Sequence, residues 1–157
     1  MEWTTHCLSG VVAGYMATGG DWKGAVVGGI AGVIPDLDEP KSKFGKVLFP
    51  ISIPINKIFG HRTFTHSLLF AVLLGAVLMP FTESWVWLSS TVGIIAHAIG
   101  DMLTGTVRFL YPSKIPVGIR IPHSQFKLVD MIARGVLILC LFFIIVDSMP
   151  ASITFNK

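Results

Sequence analysis

An all-α bundle of about five membrane-embedded helices is the fold class this sequence predicts, and three observations carry it. The chain is 52% hydrophobic and 13% charged, with a mean hydropathy of +0.71, where a soluble domain of its size carries about a quarter charged residues. The apolar residues gather into five segments separated by charged or proline-interrupted loops. The last segment holds a wholly apolar run from Val136 to Val146. One small core cannot hide so much apolar surface, and a lipid environment accounts for it.

The first segment runs from Trp3 to Thr18. It follows Met1-Glu2 with no basic stretch before it, and no small-residue cleavage site stands out after it, so it is expected to remain in the mature protein. The second, Trp22 to Ile34, carries Gly24, Gly28 and Gly32 four apart, a spacing that lets helices approach closely in lipid. The third runs from Ser67 to Phe81, the fourth from Trp85 to Leu103 and the fifth from Leu128 to Met149. The first three are short of the about 20 residues of a full crossing. Flanking residues or a locally thinned bilayer are expected to make up the difference.

Between the second and third segments, Pro40, Pro50 and Pro54 interrupt the chain, and the apolar stretch Val47–Phe59 is expected to lie in the membrane interface. Between the fourth and fifth, Gly105–Lys127 holds Pro112, Pro116 and Pro122. Neither a repeat nor a low-complexity tract interrupts residues 1–157, which read as a single domain.

Charge sets the orientation. Lys41, Lys43, Lys46, Lys57 and Arg62 follow the second segment, and Arg108, Lys114, Arg120 and Lys127 follow the fourth. The opposite loops offer only Lys23. The positive-inside rule makes the two long loops cytoplasmic. The expected protein is a multi-pass membrane protein with its N-terminus in the cytoplasm and its C-terminus outside. A formal charge of +3, scattered along the chain, argues against a nucleic-acid partner. Cys7 and Cys140 lie at different depths of their segments and are read as free thiols.

The ionisable residues gather at the cytoplasmic end of this map. His6 opens the first segment, Asp36 and Asp38 follow the second, and His61, Arg62 and His66 precede the third. His97 and Asp101 lie in the cytoplasmic half of the fourth, and Asp130 and Arg134 begin the fifth. Ionisable groups at membrane depth are costly and face functional interiors. Imidazole and carboxylate together suit zinc or a similar divalent ion.

Taken singly, each motif has a plainer reading. His97 and Asp101, four apart on one helix face, suit a hydrogen-bonded core couple equally well. The stretch His61-Arg62-Thr63-Phe64-Thr65-His66-Ser67 suits a helix entry with Thr65 as N-cap. Pro35-Asp36-Leu37-Asp38 suits a turn. Arg62 suits charge balance, a headgroup contact or a clamp on a phosphate oxygen. Their convergence at one depth favours a metal site, with Asp38 or Asp130 left to accept a proton from a metal-activated water. Thr63 and Thr65 would support the histidines. His123, in a proline-flanked loop, falls outside the set.

His6, Pro35-Asp36-Leu37-Asp38, the HRTFTHS stretch and His97-Ala98-Ile99-Gly100-Asp101 resemble the YdjM-like family of LexA-regulated inner-membrane metal-dependent hydrolases. More distantly the order is similar to that of zinc-dependent phospholipase C and the P1-type nucleases. The resemblance implies one or two divalent ions, zinc first among them. Asp36, His66, His97 and Asp101 would hold one, and Asp101 would bridge to a second near His6, with His61 a further candidate ligand. No later His pair follows Asp101 to complete a third site. A site at headgroup level implies a membrane lipid partner and a lipid or lipid-phosphate substrate. The rival reading is a non-catalytic metal-binding membrane protein or transporter, although the far side offers only Tyr15, Ser89, Ser90 and Thr91 as a polar path.

Overall fold

The computed structural model describes residues 1–148. The expected fifth-segment end at Met149 and the C-terminal side of the membrane lie outside those residues. The described chain is all-α apart from one pair of two-residue strands. Helices α1 (Trp3–Ala17) and α2 (Trp22–Ala31) form a hairpin, followed by a 3₁₀ turn at Pro35–Asp38. Helices α3 (Lys43–Val47) and α4 (Phe49–Phe59) fill the first long loop. Helices α5 (Leu68–Leu78) and α6 (Ser84–Thr104) follow, then the antiparallel strands β1 (Thr106–Val107) and β2 (Val117–Gly118), and finally α7 (Phe126–Ser148).

Of the five apolar segments, two are helices long and apolar enough to cross a membrane: α6, with 21 residues, and the stretch His123–Asp147 that contains α7. Helices α1, α2 and α5 have 15, 10 and 11 residues and fall short of the about 20 that a crossing takes.

Helix entries follow from local chemistry. The Asp21 carboxylate accepts from the Lys23 N–H at 2.9 Å and caps α2. Ser42 caps α3 by accepting from the Gly45 N–H at 2.8 Å. At α5 the cap is Ser67, which accepts from the Phe70 N–H at 3.1 Å. This corrects the expectation for Thr65. Its hydroxyl donates to Asp38 Oδ2 at 2.5 Å instead, because the helix begins two residues later and the buried carboxylate is the stronger acceptor.

Glycines set the packing of α1, α2 and α6. A Cβ at Gly10 would sit 2.2 Å from the Gly28 oxygen, one at Gly14 2.2 Å from the Gly24 oxygen, and one at Gly93 2.5 Å from the Gly28 oxygen. Backbone therefore lies directly against backbone, as small residues permit in lipid. This contact brings the start of α1, the end of α2 and the end of α6 to one level. It seats Gly32 against α1, where a Cβ would lie 2.6 Å from the His6 oxygen.

The interior is inverted relative to a soluble protein. His6, Asp38, His66, His97 and Asp101 are all buried, whereas Val72 and Leu73 of α5 and Leu139, Phe142 and Phe143 of α7 are exposed. Such an exterior matches hydrocarbon, where polar groups must find partners inside. Both cysteines are free.

Candidate metal centre

Four separate pieces of chain meet at the C-terminal end of α6. Helix α1 supplies His6, the 3₁₀ turn Asp36 and Asp38, the loop before α5 His61, Arg62 and His66, and α6 His97 and Asp101. The loop is bent to reach the site. Arg62 has a φ of 59°, a conformation that costs a non-glycine residue ~1–3 kcal/mol. Its N–H donates to Asp38 Oδ2 at 3.1 Å, and its carbonyl accepts from the Arg108 N–H at 3.0 Å. Those two bonds hold the strained turn between the 3₁₀ turn and the segment that follows β1.

Hydrogen bonds at the far ring nitrogens fix how the two central histidines present themselves. His97 Nδ1 lies 2.7 Å from the Gly32 carbonyl oxygen. A carbonyl only accepts, so Nδ1 carries the proton and Nε2 a lone pair. His66 Nδ1 lies 3.1 Å from Asp38 Oδ2, which turns its Nε2 inward in the same way. The two Nε2 atoms are 3.1 Å apart. Asp101 Oδ2 lies 3.3 Å from His66 Nε2, and Asp36 Oδ1 3.8 Å from His97 Nε2. Four ligands on arms of 2.0–2.2 Å define a tetrahedron with edges of about 3.3–3.6 Å. The observed spacings bracket that value.

His6 adds an independent sign. Its ring stacks on His97 with centroids 3.7 Å apart, and Nε2 is 3.2 Å from Asp101 Oδ1. Neither ring nitrogen makes a well-formed hydrogen bond, although both are buried. Buried polar atoms without partners are costly, and a cation shared with Asp101 would satisfy one. His6, His97 and Asp101 can each offer one atom to a common ion, and so can Asp36, His66 and His97. The donor set therefore fits one or two divalent ions.

The electrostatics run the same way. Burial pushes the Asp36 carboxyl up, with the charge of His6 partly opposing it. Burial would also raise Asp38, but hydrogen bonds from His61, His66 and Thr65 outweigh it and hold the carboxyl well below the usual carboxylate range. Burial works against a charged His66, yet hydrogen bonds to Asp101 and Asp38 prevail and raise it to about 9. The two carboxylates thus favour positive charge between them, either a proton on His66 or a cation held at its Nε2 in the proton's place.

The remaining sequence candidates take other places. His61 Nδ1 lies 2.6 Å from Asp38 Oδ1, a hydrogen-bonding distance, and Asp38, His61 and His66 form a third group whose atoms could share an ion. Among the described residues Asp38 serves four partners: His61, the Arg62 N–H, Thr65 and His66. It is a positioning residue, with both oxygens already engaged. Asp130 accepts from the Glu2 N–H at 2.8 Å and pairs with Arg134 at 2.6 Å, outside each group of possible ligands. Arg134 also meets Glu2 at 2.7 Å, which is the charge-balance role. Arg62 Nε lies 2.9 Å from Asp101 Oδ2, beside a cavity of about 260 Å³ that Asp36, Lys43 and His61 also line.

Sequence reasoning missed three contributors. The Gly32 carbonyl orients His97, and backbone atoms leave no signature of residue type. The Met1 amino group lies 2.9 Å from Asp101 Oδ1. Gly105 makes room for Arg62, since a Cβ there would be 2.3 Å from Nη1.

Asp38→Asn is expected to weaken metal binding about 10–100-fold, as loss of a carboxylate behind a ligating histidine typically does. Titration with zinc against a competing chelator measures it. Unchanged affinity would show that His66 needs no support from Asp38.

The family model described as YdjM inner membrane protein matches residues 1–153. The chain belongs to the YdjM family. It is 39% identical over 103 residues to Inner membrane protein YdjM of Escherichia coli (strain K12), covering 60% of this chain and 53% of that protein. It is 33% identical over 95 residues to Uncharacterized protein YvsG of Bacillus subtilis (strain 168), covering 59% of each. Against Inner membrane protein YbcI of Escherichia coli (strain K12) it is 32% identical over 82 residues, 48% of this chain and 43% of that protein. The matched region spans about half the length of these curated relatives. No solved structure matches the chain. Membership of the YdjM family and the apolar helices α6 and α7 support an inner-membrane location.

Proposed function

We propose that this YdjM-family chain is a membrane-embedded, divalent-metal-dependent hydrolase acting on a phosphoester of a lipid or lipid-linked substrate at the cytoplasmic face. The observation behind it is the convergence of His66 Nε2, His97 Nε2, Asp36 and Asp101 on one volume, with His6 stacked beside it and lacking a hydrogen-bond partner. Zinc suits this mixture of imidazole and carboxylate. Asp36, His66, His97 and Asp101 would hold one ion, and Asp101 with His6 a second. A bound ion of this kind supplies a water that ionises near neutral pH and polarises a phosphoryl oxygen.

The protein's own groups do the rest. Arg62 and Lys43 bring positive charge to the cavity, and a guanidinium matches two phosphate oxygens at once. Asp38 keeps His66 aimed, and the Gly32 carbonyl does the same for His97. Asp38 and Asp130 are tied to other donors, which leaves neither free to take a proton. The buried apolar cluster of Ala31, Ala71 and Ile94 includes a residue one turn outward of His97. It favours a closed-ended site over a transport path.

The lipid preference rests on position. The cluster occupies one end of α6, and α4 beside it presents Phe49, Ile51, Ile53 and Ile58 outward, as a helix lying in the interface does. The test is a screen of metal-loaded protein in liposomes against lipid phosphomonoesters, phosphodiesters and acyl esters. Cleavage of a phosphoester is expected, and no cleavage in any class would overturn the enzyme reading.

The multi-pass orientation is tested separately. Cysteine probes placed at Lys43 and Lys114 should react with an impermeant reagent only from the cytoplasm, and a probe at Glu83 only from outside. The expectation rests on the clustering of Lys and Arg in the two long loops. The reverse pattern would invert the topology while leaving the site on one face.

A further inference from the structure

A second cavity adjoins the polar one. It has a volume of about 730 Å³ and lies between one face each of α1, α6 and α7. Val12 and Met16 line it from α1, Ile99 and Leu103 from α6, and Val136 and Leu137 from α7. The α1 face extends from Thr5 to Met16, about 16 Å at the helical rise. An extended hydrocarbon chain of roughly a dozen carbons or more spans that length.

The two cavities share a wall. Met1 lines both, Gly100 lines the apolar one, and its neighbour Asp101 lines the polar one. A Cβ at Gly100 would stand 3.2 Å from Met1 Sδ and 3.3 Å from His6 Nδ1, so this glycine lets Met1 and His6 pack against α6 where the groove meets the metal cluster. A lipid lying on the outer face of α5 meets only apolar side chains. A chain in this groove instead ends one residue from Asp101, beside the polar pocket where Arg62 and Lys43 stand among Asp36, Glu39 and Asp101.

We infer that the α1–α6–α7 groove seats one hydrocarbon chain of the lipid whose phosphate enters the Arg62 pocket, an inference that rests on the phosphoester reading above. The groove would then select long-chain lipid phosphates, and the polar pocket would fix where along the chain the headgroup lies.

The experiment uses the full chain in liposomes with a phosphatidate carrying a photoreactive diazirine in mid-chain. Crosslinks should map to α1 and α7 residues of the groove, and phosphatidate should compete about tenfold better than diacylglycerol of the same chains, because only phosphatidate carries a phosphate for Arg62 and Lys43. Ala13→Phe and Ala133→Phe, which fill the groove from opposite walls, should each cut labelling about fivefold or more by overpacking it. Ile138→Phe, on the exposed face of α7, should leave it unchanged. Size-exclusion profiles matching wild type show that a variant is folded. Labelling spread over α5 and the outer face of α7, or unaffected by both filling variants, would overturn the inference. Turnover separates the two readings. Selective labelling without cleavage of any ester would sink the hydrolase while the groove stands. Cleavage of long- and short-chain substrates with equal KM in wild type and Ala133→Phe would sink the groove while the hydrolase stands.

Discussion

Protein purified without chelator is expected to hold one or two equivalents of zinc or a comparable ion, and His97→Ala to lose most of it. His97 belongs to two of the three groups of possible ligands, with His6 and Asp101 on one side and with Asp36 and His66 on the other. Its Nε2 is held toward His66 by the bond from Nδ1 to the Gly32 carbonyl. Removing the imidazole therefore takes a donor from each of these two groups and leaves His66 Nε2 facing a void. Loss of a supporting group alone weakens such sites about 10–100-fold, so loss of a ligand should exceed that. His97→Gln keeps much of the side-chain volume and separates a packing effect from loss of the ligand. His123→Ala is the matched control, since His123 lies in a turn against Phe126, away from the cluster. The measurement is elemental analysis of each purified variant. Equal metal in wild type and His97→Ala would remove His97 from the ligand set.

Asp101→Asn is expected to abolish turnover of whichever phosphoester the protein cleaves. The Asp101 carboxylate lies within 2.9 Å of the Met1 amino group and Arg62 Nε, 3.2 Å of His6 Nε2 and 3.3 Å of His66 Nε2. It is the one carboxylate common to the His6 side and the His66 side of the site. Asparagine keeps the shape, but it removes the charge and turns one acceptor into a donor aimed at donors. A loss on the order of 10³-fold or more in kcat is expected, comparable with removal of a central electrostatic group. Breaking a buried charge cluster also costs about 3–5 kcal/mol, so thermal unfolding is measured alongside activity. A folded Asp101→Asn with wild-type turnover would show that the site is misassigned. Arg62→Lys should be harmful but milder, because an ammonium keeps the charge and loses the two-pronged contact with phosphate. Its effect should fall on KM as well as kcat if Arg62 grips the phosphate in the ground state.

The sequence by itself determined the apolar segments and the identity of the polar set. Hydrophobic runs and their glycine spacing are local properties of the chain. Helices α1, α2 and α5 lie within the segments those runs mark, and α6 and α7 overlap theirs but begin one and two residues earlier. Gly24, Gly28 and Gly32 sit at the close helix contacts that their spacing implies. That His6, Asp36, His66, His97 and Asp101 share one end also follows from the order of segments, because successive helices alternate direction.

Tertiary structure decided who bonds to whom. The bonds that assign roles join residues far apart in sequence: Asp38 with Thr65, Gly32 with His97, Met1 with Asp101, Glu2 with Asp130. No local pattern specifies such partners. The same Thr65 suits a helix cap or a carboxylate donor, and only the position of Asp38 across the fold chooses between them. Asp130 was a candidate proton acceptor by its depth alone, and the fold instead ties it to Arg134 and the start of α1. The groove beside the metal cluster was hidden for the same reason. Its walls come from three helices, and a void is a property of how faces meet, which composition along one chain does not record.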